Sequence, residues 1–214
     1  MDDVQHGGVV PKELPAGLIV KGIRKITMTF QEIKKNLKND FTGHKSVKIA
    51  LLGDSATQFL AMAIRGSGFN AGLNIEVYEG DYDLIYETVL DKESNIYKDN
   101  FDYIILFNST EKIAESFYKS GPEEQRGFPQ KTETYFRNLI ATIQKNTKAG
   151  IIITNFPEIN DSVFGNFASK TPSSFLNRLS KINITLQDIA GEIKNVFIAD
   201  VLSLVNNEGR KNAV

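Results

Sequence analysis

The chain has no cysteine among its 214 residues and only two histidines, His6 and His44. The absence of cysteine excludes disulfide bonds, thiolate metal sites and a cysteine nucleophile on this chain. It is compatible with the cytoplasm, where we expect the protein. The scarcity of histidine limits the general bases that the chain can supply, since histidine is the side chain that most often takes a proton in catalysis.

Charge of neither sign is in excess, because 25 Lys and Arg stand against 26 Asp and Glu. Such a balance lacks the basic surplus typical of domains that bind nucleic acid or anionic membranes. No apolar stretch is long enough to span a membrane, and the first residues do not form a signal-peptide pattern. We therefore expect neither nucleic acid nor a membrane as a partner.

What the chain does have is a regular alternation of apolar strands and amphipathic helices. Hydrophobic residues make up 41% of it, enough for one sizeable core. Strands are predicted at 47–52, 73–78, 101–107, 150–154 and 196–199, with helices at 56–67, 82–90, 109–120, 132–145 and 173–193 between them. Near-continuous apolar strands are typical of a parallel sheet that is covered on both faces. The pattern predicts an α/β fold, a three-layer α/β/α sandwich around a five-stranded parallel sheet of order 2-1-3-4-5.

The ends of the chain are less regular. Residues 1–45 are expected to form an N-terminal arm, with one short strand and a short helix at 31–39, packed on an α/β domain of residues 46–214. The polar tail after residue 205 suggests a fragment of a longer multidomain protein, with a plain C-terminal tail as the alternative.

Polar residues follow the predicted strands at the edge where the carboxyl ends of the strands meet. They are Gly53-Asp54-Ser55 after the first strand, Gly80-Asp81 after the second, Asn108-Ser109-Thr110 after the third and Asp200 after the fifth. Each has an ordinary structural explanation. Ser55 can be the N-cap of the helix at 56–67, Asn108 and Asp200 can be caps or turn residues, and Gly80 can form a tight turn.

The same residues resemble the motifs of SGNH (GDSL-type) hydrolases, which share the flavodoxin-like sheet order. The resemblance implies that Ser55 is the nucleophile and that its own N–H, Gly80 and Asn108 form an oxyanion hole. Asp200 matches the acid of the family's Asp-x-x-His motif, but Ser203 occupies the position of its histidine. Without a base, a serine hydroxyl is a poor nucleophile near neutral pH. We expect a degenerate site, with an active serine site as the alternative.

A closer resemblance, over roughly residues 46–210, is to the N-terminal domain of FkbH-like proteins. It is carried by segments 76–83, 90–97, 101–106, 163–166 and 199–204, and the Leu-Asp-x-x-Ser-x-x-Tyr motif at 90–97 is the most specific of them. In that family, this domain precedes a catalytic domain of the haloacid-dehalogenase type. Members transfer a glyceryl unit from a phosphorylated three-carbon donor to an acyl carrier protein, and relatives belong to polyketide and surface-polysaccharide gene clusters.

The FkbH resemblance implies two partners, an acyl carrier protein and the haloacid-dehalogenase-type domain. It places Mg²⁺ in that second domain and no cofactor in this one, whose role would be to bind and position the carrier or its acyl group. Lys34, Lys35 and Lys38 form a basic face that could meet an acidic carrier, although most such faces are simply solvated. The alternatives are an esterase or acyltransferase that uses Ser55 with a base from elsewhere, and a purely structural docking domain.

One motif favours a metal site only superficially. Asp81-Tyr82-Asp83 matches the Asp-x-Asp nucleophile motif of haloacid dehalogenases, where two carboxylates hold Mg²⁺ and a phosphoryl group. It follows the second strand rather than the first, and no acidic pair follows the fourth and fifth strands. We therefore predict no metal site in this domain.

Overall fold

The computed structural model of the chain describes residues 28–159 and 161–209, which form one parallel sheet with helices on both faces. The strands are β1 (Lys45–Gly53), β2 (Leu73–Glu79), β3 (Tyr103–Phe107), β4 (Gly150–Thr154) and β5 (Val196–Ala199). Their order is β2-β1-β3-β4-β5, and all neighbours are parallel. The predicted α/β fold and strand order are confirmed. The strand predicted in the N-terminal arm lies outside the described residues.

Nine α-helices and one 3₁₀ helix occur in the described part of the chain. The α-helices are α1 (Phe30–Asn36), α2 (Gln58–Asn70), α3 (Ile85–Leu90), α4 (Asn95–Lys98), α5 (Thr110–Lys119), α6 (Pro122–Arg126), α7 (Phe128–Asn146), α8 (Phe175–Glu192) and α9 (Val201–Glu208); the 3₁₀ helix is Gly165–Lys170. None of them combines the length and apolarity needed to cross a bilayer. Helices α4 and α6 lie in segments that were expected to be loops. In α6 the proline at its first position and two acidic residues in its first turn favour the helix start.

The core lies between one face of the sheet and the long helices α7 and α8. Its fully buried members include Ile104, Leu106, Ile151 and Ile153 from the strands, Phe136, Leu139, Ile140 and Ile143 from α7, and Leu179, Ile182, Leu186 and Ile189 from α8. Each helix contributes apolar residues at spacings of three and four, so one stripe faces the sheet. This packing fixes the strand ends whose loops carry the candidate site.

Helix α1 packs on α2 through a close backbone approach. A Cβ atom at Gly66 would lie 2.5 Å from the Ile33 carbonyl oxygen, so this contact requires glycine. The Asn36 amide donates a 3.0 Å hydrogen bond to the Gly66 carbonyl. The start of α1 is fixed by a capping box between Thr29 and Glu32. The described part of the N-terminal region is therefore attached to the α/β domain.

Candidate functional site at the carboxyl edge of the sheet

Ser55 lies in the turn between β1 and α2. Helix α2 begins at Gln58 with Thr57 in the N-cap position, so the expectation that Ser55 caps a helix starting at 56 was wrong. The reason is a tertiary contact, because the Thr57 hydroxyl donates a 2.6 Å hydrogen bond to Glu79 at the end of β2. Ser55 is half-buried, and its hydroxyl has no hydrogen-bond partner within the described residues.

No described imidazole is close to Ser55. His44 precedes β1 and Ser55 follows it, and a nine-residue strand is about 30 Å long. The His44 ring stacks on Phe69 with 5.1 Å between ring centroids, and its Nε2 lies 3.3 Å from the Phe69 carbonyl oxygen. His6 lies outside the described residues. The structure therefore provides no histidine base for Ser55 in the part of the chain that it describes.

Asp200 caps α9. Its Oδ1 accepts the Ser203 N–H at 3.0 Å and an N–H of the Asn155 side chain at 2.7 Å. The hydrogen bonds from Ser203 and then from Asn155 hold the pKa of Asp200 below its usual value. Because β5 is three strands from β1, Asp200 and Ser55 are separated by about 14 Å across the sheet. The carboxylate stabilises a helix start and does not contact the serine.

Asp54 joins the turn after β1 to the turn after β3. It is buried, and its two carboxylate oxygens accept the Ser109 N–H at 2.9 and 3.0 Å. Oδ2 also accepts an N–H of Asn108 at 3.3 Å. Burial raises the pKa of Asp54, and the hydrogen bonds from Ser109 and Asn108 partly oppose that rise. Asn108 is held by this contact, while Ser109 is the residue that caps α5.

The loop that follows β2 crosses the end of β1 and divides the edge of the sheet into two cavities. The Asp83 N–H donates a 3.1 Å hydrogen bond to the Gly53 carbonyl, and Asp83 adopts the left-handed conformation with φ of 59°. Ser55 and Gly80 line a cavity of about 180 Å³ on one side. Asp54 and Asn108 line a cavity of about 340 Å³ on the other, and the two linings share no residue. The predicted site residues are thus brought to one edge but into two separate cavities.

Sequence reasoning missed the contribution of α7 to the larger cavity. Tyr135 and Thr132 line it, and Tyr135 stacks on Tyr86 of α3 with 6.2 Å between ring centroids. Burial raises the pKa of the Tyr135 phenol, although the Asn108 amide beside it acts in the opposite direction. The signal in the sequence was a single polar residue, Thr132, within the otherwise apolar buried side of α7.

The acidic motif after β2 is engaged in an ion pair. Asp83 Oδ2 lies 2.8 Å from Lys112 Nζ. Across residues 28–159 and 161–209, no cluster of three or more His, Cys, Asp or Glu side chains could hold a metal ion.

Comparison with known proteins identifies the family. The family model for the FkbH N-terminal domain matches residues 48–214. The chain belongs to the FkbH N-terminal domain family. This FkbH-type domain also matches the crystal structure of the N-terminal part of the protein BF1531 from Bacteroides fragilis, which contains a phosphatase domain and is complexed with Mg. The TM-score is 0.77 and the identity 33%, over 86% of this chain and 48% of that chain.

The chain therefore spans about half the length of that solved structure. No curated protein matches it. The predicted resemblance to the N-terminal domain of FkbH-like proteins is confirmed.

Proposed function

We propose that this chain is the non-hydrolytic N-terminal domain of an FkbH-like protein that transfers a glyceryl or similar acyl unit to an acyl carrier protein. Such a protein would act in polyketide or surface-polysaccharide biosynthesis. The transfer chemistry and Mg²⁺ would belong to a phosphatase-type domain of the haloacid-dehalogenase class. The solved relative supports this division, because it contains a phosphatase domain and was complexed with Mg. The domain described here would bind and position the carrier or its acyl group.

The observation that carries the proposal is the isolation of the Ser55 hydroxyl. It has no hydrogen-bond partner within the described residues, His44 is about 30 Å away, and Asp200 caps α9. A serine nucleophile needs an adjacent base to take its proton. We therefore infer that Ser55 contributes to a binding surface and not to hydrolysis.

A test of this inference compares the chain with its Ser55→Ala variant. Both are incubated with a fluorophosphonate probe and with p-nitrophenyl acetate. We expect no labelling and equal, background hydrolysis in the two proteins. Labelling of the wild-type chain that disappears in Ser55→Ala would instead support the alternative function, an active serine esterase or acyltransferase. That alternative is favoured by one observation, which is that Ser55 and Gly80 line the same cavity.

A surface for the carrier protein lies beside the smaller cavity. Phe59 is 70% exposed, and its ring contacts the Phe30 ring edge-on, with 5.6 Å between the ring centroids. Lys34 Nζ lies 5.0 Å from the centre of the Phe30 ring. We name these three residues the aromatic patch. It offers exposed apolar area next to a positive charge, and it adjoins Gln58, which lines the Ser55 cavity.

Carrier docking is tested by titrating the chain with a phosphopantetheinylated acyl carrier protein. We expect Lys34→Glu and Phe59→Ser to weaken binding by about five-fold or more, since a reversed charge acts on an acidic partner and an exposed aromatic anchor is lost. Lys145→Glu on α7, an exposed lysine that is not part of the aromatic patch, serves as the matched control. Equal affinities for all four proteins would exclude the aromatic patch as the docking surface.

A further inference from the structure

The face of the sheet opposite α7 and α8 is incompletely covered over β3, β4 and β5. Ile104 of β3 and Ile151 of β4 lie on the α7 and α8 side and are fully buried. The residues that alternate with them along the strands are half-buried or exposed. The register of the parallel ladders places these residues on one face together with a residue of β5. We name this group the open face, and it consists of Tyr103, Ile105, Ile152 and Phe197.

Two aromatic rings form the most exposed part of the open face. The Tyr103 and Phe197 rings meet edge to face, with 6.4 Å between ring centroids. A Cβ atom at Gly150 would lie 2.8 Å from Tyr103 Cδ1 and 3.3 Å from Phe197 Cε2, so both rings lie directly over this glycine. Both rings are exposed, and Phe197 is 49% exposed. The rings therefore make a contiguous apolar surface, which is typical of an interaction site.

The other half of the same sheet face is covered. Ile49 and Leu51 of β1 pair in register with the two open-face residues of β3, and both are buried. Helix α2 packs over this half, since a Cβ atom at Gly68 would lie 2.7 Å from Ile75 Cδ1 of β2. All-parallel sheets occur almost only with both faces covered. The open face is thus the part of the sheet that the described residues leave for another structure to cover.

Helix α9, which begins two residues after the end of β5, adds a second apolar surface. It contains four aliphatic residues, Val201, Leu202, Leu204 and Val205. The structure describes all of α9, and none of its residues is buried. Leu204 is exposed. A short helix is stabilised mainly by tertiary packing, so a helix of this composition favours a partner surface.

The chemistry of the open face selects its partner. Its four residues carry no charge, and charged residues are depleted in the core of a protein interface. An acidic carrier protein is attracted by positive charge, which the aromatic patch offers and the open face does not. A domain of the same polypeptide is held at a high effective concentration, so an uncharged apolar face is sufficient to dock it. The solved relative has such a domain, because it contains a phosphatase domain and this chain covers 48% of it.

We propose that the open face and α9 form the interface for the phosphatase-type domain of the longer protein. The inference deepens the proposed function, on which it rests for the presence of that domain. Because α2 covers the other half of the same face, the phosphatase-type domain lies on the side of the sheet that carries α2 and the aromatic patch. The carrier and the transfer chemistry are then brought to one side of this domain.

The absence of cysteine from the chain provides a site-specific test. Phe197→Cys is prepared in the 214-residue chain and in the longer protein with its phosphatase-type domain, and both are treated with N-ethylmaleimide. Mass spectrometry of the peptide that contains position 197 gives the labelling rate without interference from cysteines of the second domain. We expect the rate in the longer protein to be lower by about ten-fold or more, because an interface core excludes solvent.

Ile184→Cys is the matched control. Ile184 is 58% exposed and lies on α8, which packs on the opposite face of the sheet. Its labelling rate should be the same in the two proteins. The unsubstituted proteins give a second measurement, in which the methyl resonances of Ile105 and Ile152 should differ between the chain and the longer protein while those of Ile184 do not. Where the two measurements disagree, the unsubstituted proteins decide, since loss of the Phe197 ring itself weakens the interface.

Three results would overturn the proposal. The first is that the methyl resonances of Ile105 and Ile152 are the same in both proteins. The second is that Phe197→Cys is already labelled far more slowly than Ile184→Cys in the 214-residue chain, which would show that the face is covered within this chain. The third is that these methyl resonances move with the concentration of the chain alone, which would assign the face to a second copy.

A titration of the longer protein with the acyl carrier protein distinguishes this inference from the proposed function. Protection of position 197 without carrier binding supports the interface and contradicts the carrier role. Carrier binding without protection and without methyl shifts contradicts the interface and leaves the carrier role in place.

Discussion

Asp54 and Ser109 are joined by a bifurcated contact, in which one backbone N–H is donated to both oxygens of a buried carboxylate at 2.9 and 3.0 Å. The contact links the ends of β1 and β3, and burial raises the pKa of Asp54 despite it. The pair is thus both a structural tie across the site and a source of pH dependence.

Replacement of Asp54 by Asn should lower the free energy of unfolding by an amount that falls as pH rises. Above the ordinary aspartate value of 3.8, the unfolded chain has lost a proton that native Asp54 still holds. The stability of the wild-type chain therefore declines with rising pH until the native pKa is passed, and the variant has no such step. We expect the free energy of unfolding of Asp54→Asn, measured with urea, to be about 1–2 kcal/mol below that of the wild-type chain near pH 4. This difference should shrink towards pH 7. A deficit that grows with pH would mean that the native pKa is lowered.

Asn155 should matter more to α9 than Asp200 does. Asn155 is buried, its Nδ2 donates to Asp200, and its Oδ1 accepts the Leu202 N–H at 2.9 Å. Asn155→Ala leaves both partners without these bonds and should cost about 2–3 kcal/mol. Asp200→Ala removes the N-cap of α9 and should lower the free energy of unfolding by about 1 kcal/mol. Asp200→Ser keeps a capping oxygen and should retain most of the wild-type stability. Urea unfolding gives the costs, and hydrogen exchange at Leu202 and Ser203 localises them.

The cap at Asp200 should also depend on pH, with the opposite sign to Asp54. Hydrogen bonds lower the pKa of Asp200, so its contribution is present above 3.8 and is lost as pH falls through the native value. The cost of Asp200→Ala should therefore disappear in acid. Persistence of the full cost below that pKa would contradict the assignment.

Gly80 is predicted to tolerate no side chain. A Cβ atom there would lie 2.5 Å from Leu52 Cδ2, and Leu52 is 1% exposed and confined in the core. Gly80→Ala should cost about 1–3 kcal/mol in thermal or urea unfolding. Gly121→Ala is the matched control, since nothing lies within 4 Å of its Cβ position, and we expect a change within about 0.5 kcal/mol. Equal effects would show that Leu52 moves aside freely.

Replacing two buried polar residues of α8 with apolar residues should change the free energy of unfolding in opposite directions. Asn183 bonds both the N–H and the carbonyl of Phe156 at 2.8 Å, so Asn183→Leu should cost about 2–3 kcal/mol. Arg178 is 8% exposed, and its Nε has no partner among the described residues. Arg178→Met keeps the packing and removes a buried N–H that has no partner, so the free energy of unfolding of this variant should be unchanged or higher by about 1 kcal/mol. Marked destabilisation would reveal a partner for the guanidinium.

The parts of the fold that could be predicted from sequence are those set by local pattern. The strands at 150–154 and 196–199 were predicted with the bounds that the structure has, because short apolar runs between polar turns have few alternatives. The start of α2 could not be predicted, because the hydrogen bond from Thr57 to Glu79 joins residues that are distant in sequence. Phe59 lies in the predicted helix at 56–67 but is 70% exposed, and the buried residues of α2 are the small ones, Ala61, Gly66 and Gly68.

The candidate site was predictable as a set of residues but not as a shape. Gly-Asp-Ser, Gly80 and Asn108 were placed at one edge by the strand order alone. Their division between two cavities follows from the path of the loop after β2, which is held to β1 by backbone hydrogen bonds from Gly80 to Leu51 and from Asp83 to Gly53 that leave no pattern in the sequence. The role of α7 was equally hidden, since Lys131 and Tyr135 lie far along the chain from the motifs.

The bridge formed by Asp83 over Gly53 has a consequence for how the edge of the sheet can be used. A molecule seated beside Ser55 cannot slide across to Asn108 unless the segment at 80–84 lifts, so each compartment fills and empties through its own opening. Their walls have no residue in common, but Asp54 of one and Ser55 of the other are consecutive in the chain, so a ligand that displaces this turn on one side should change the binding free energy on the other.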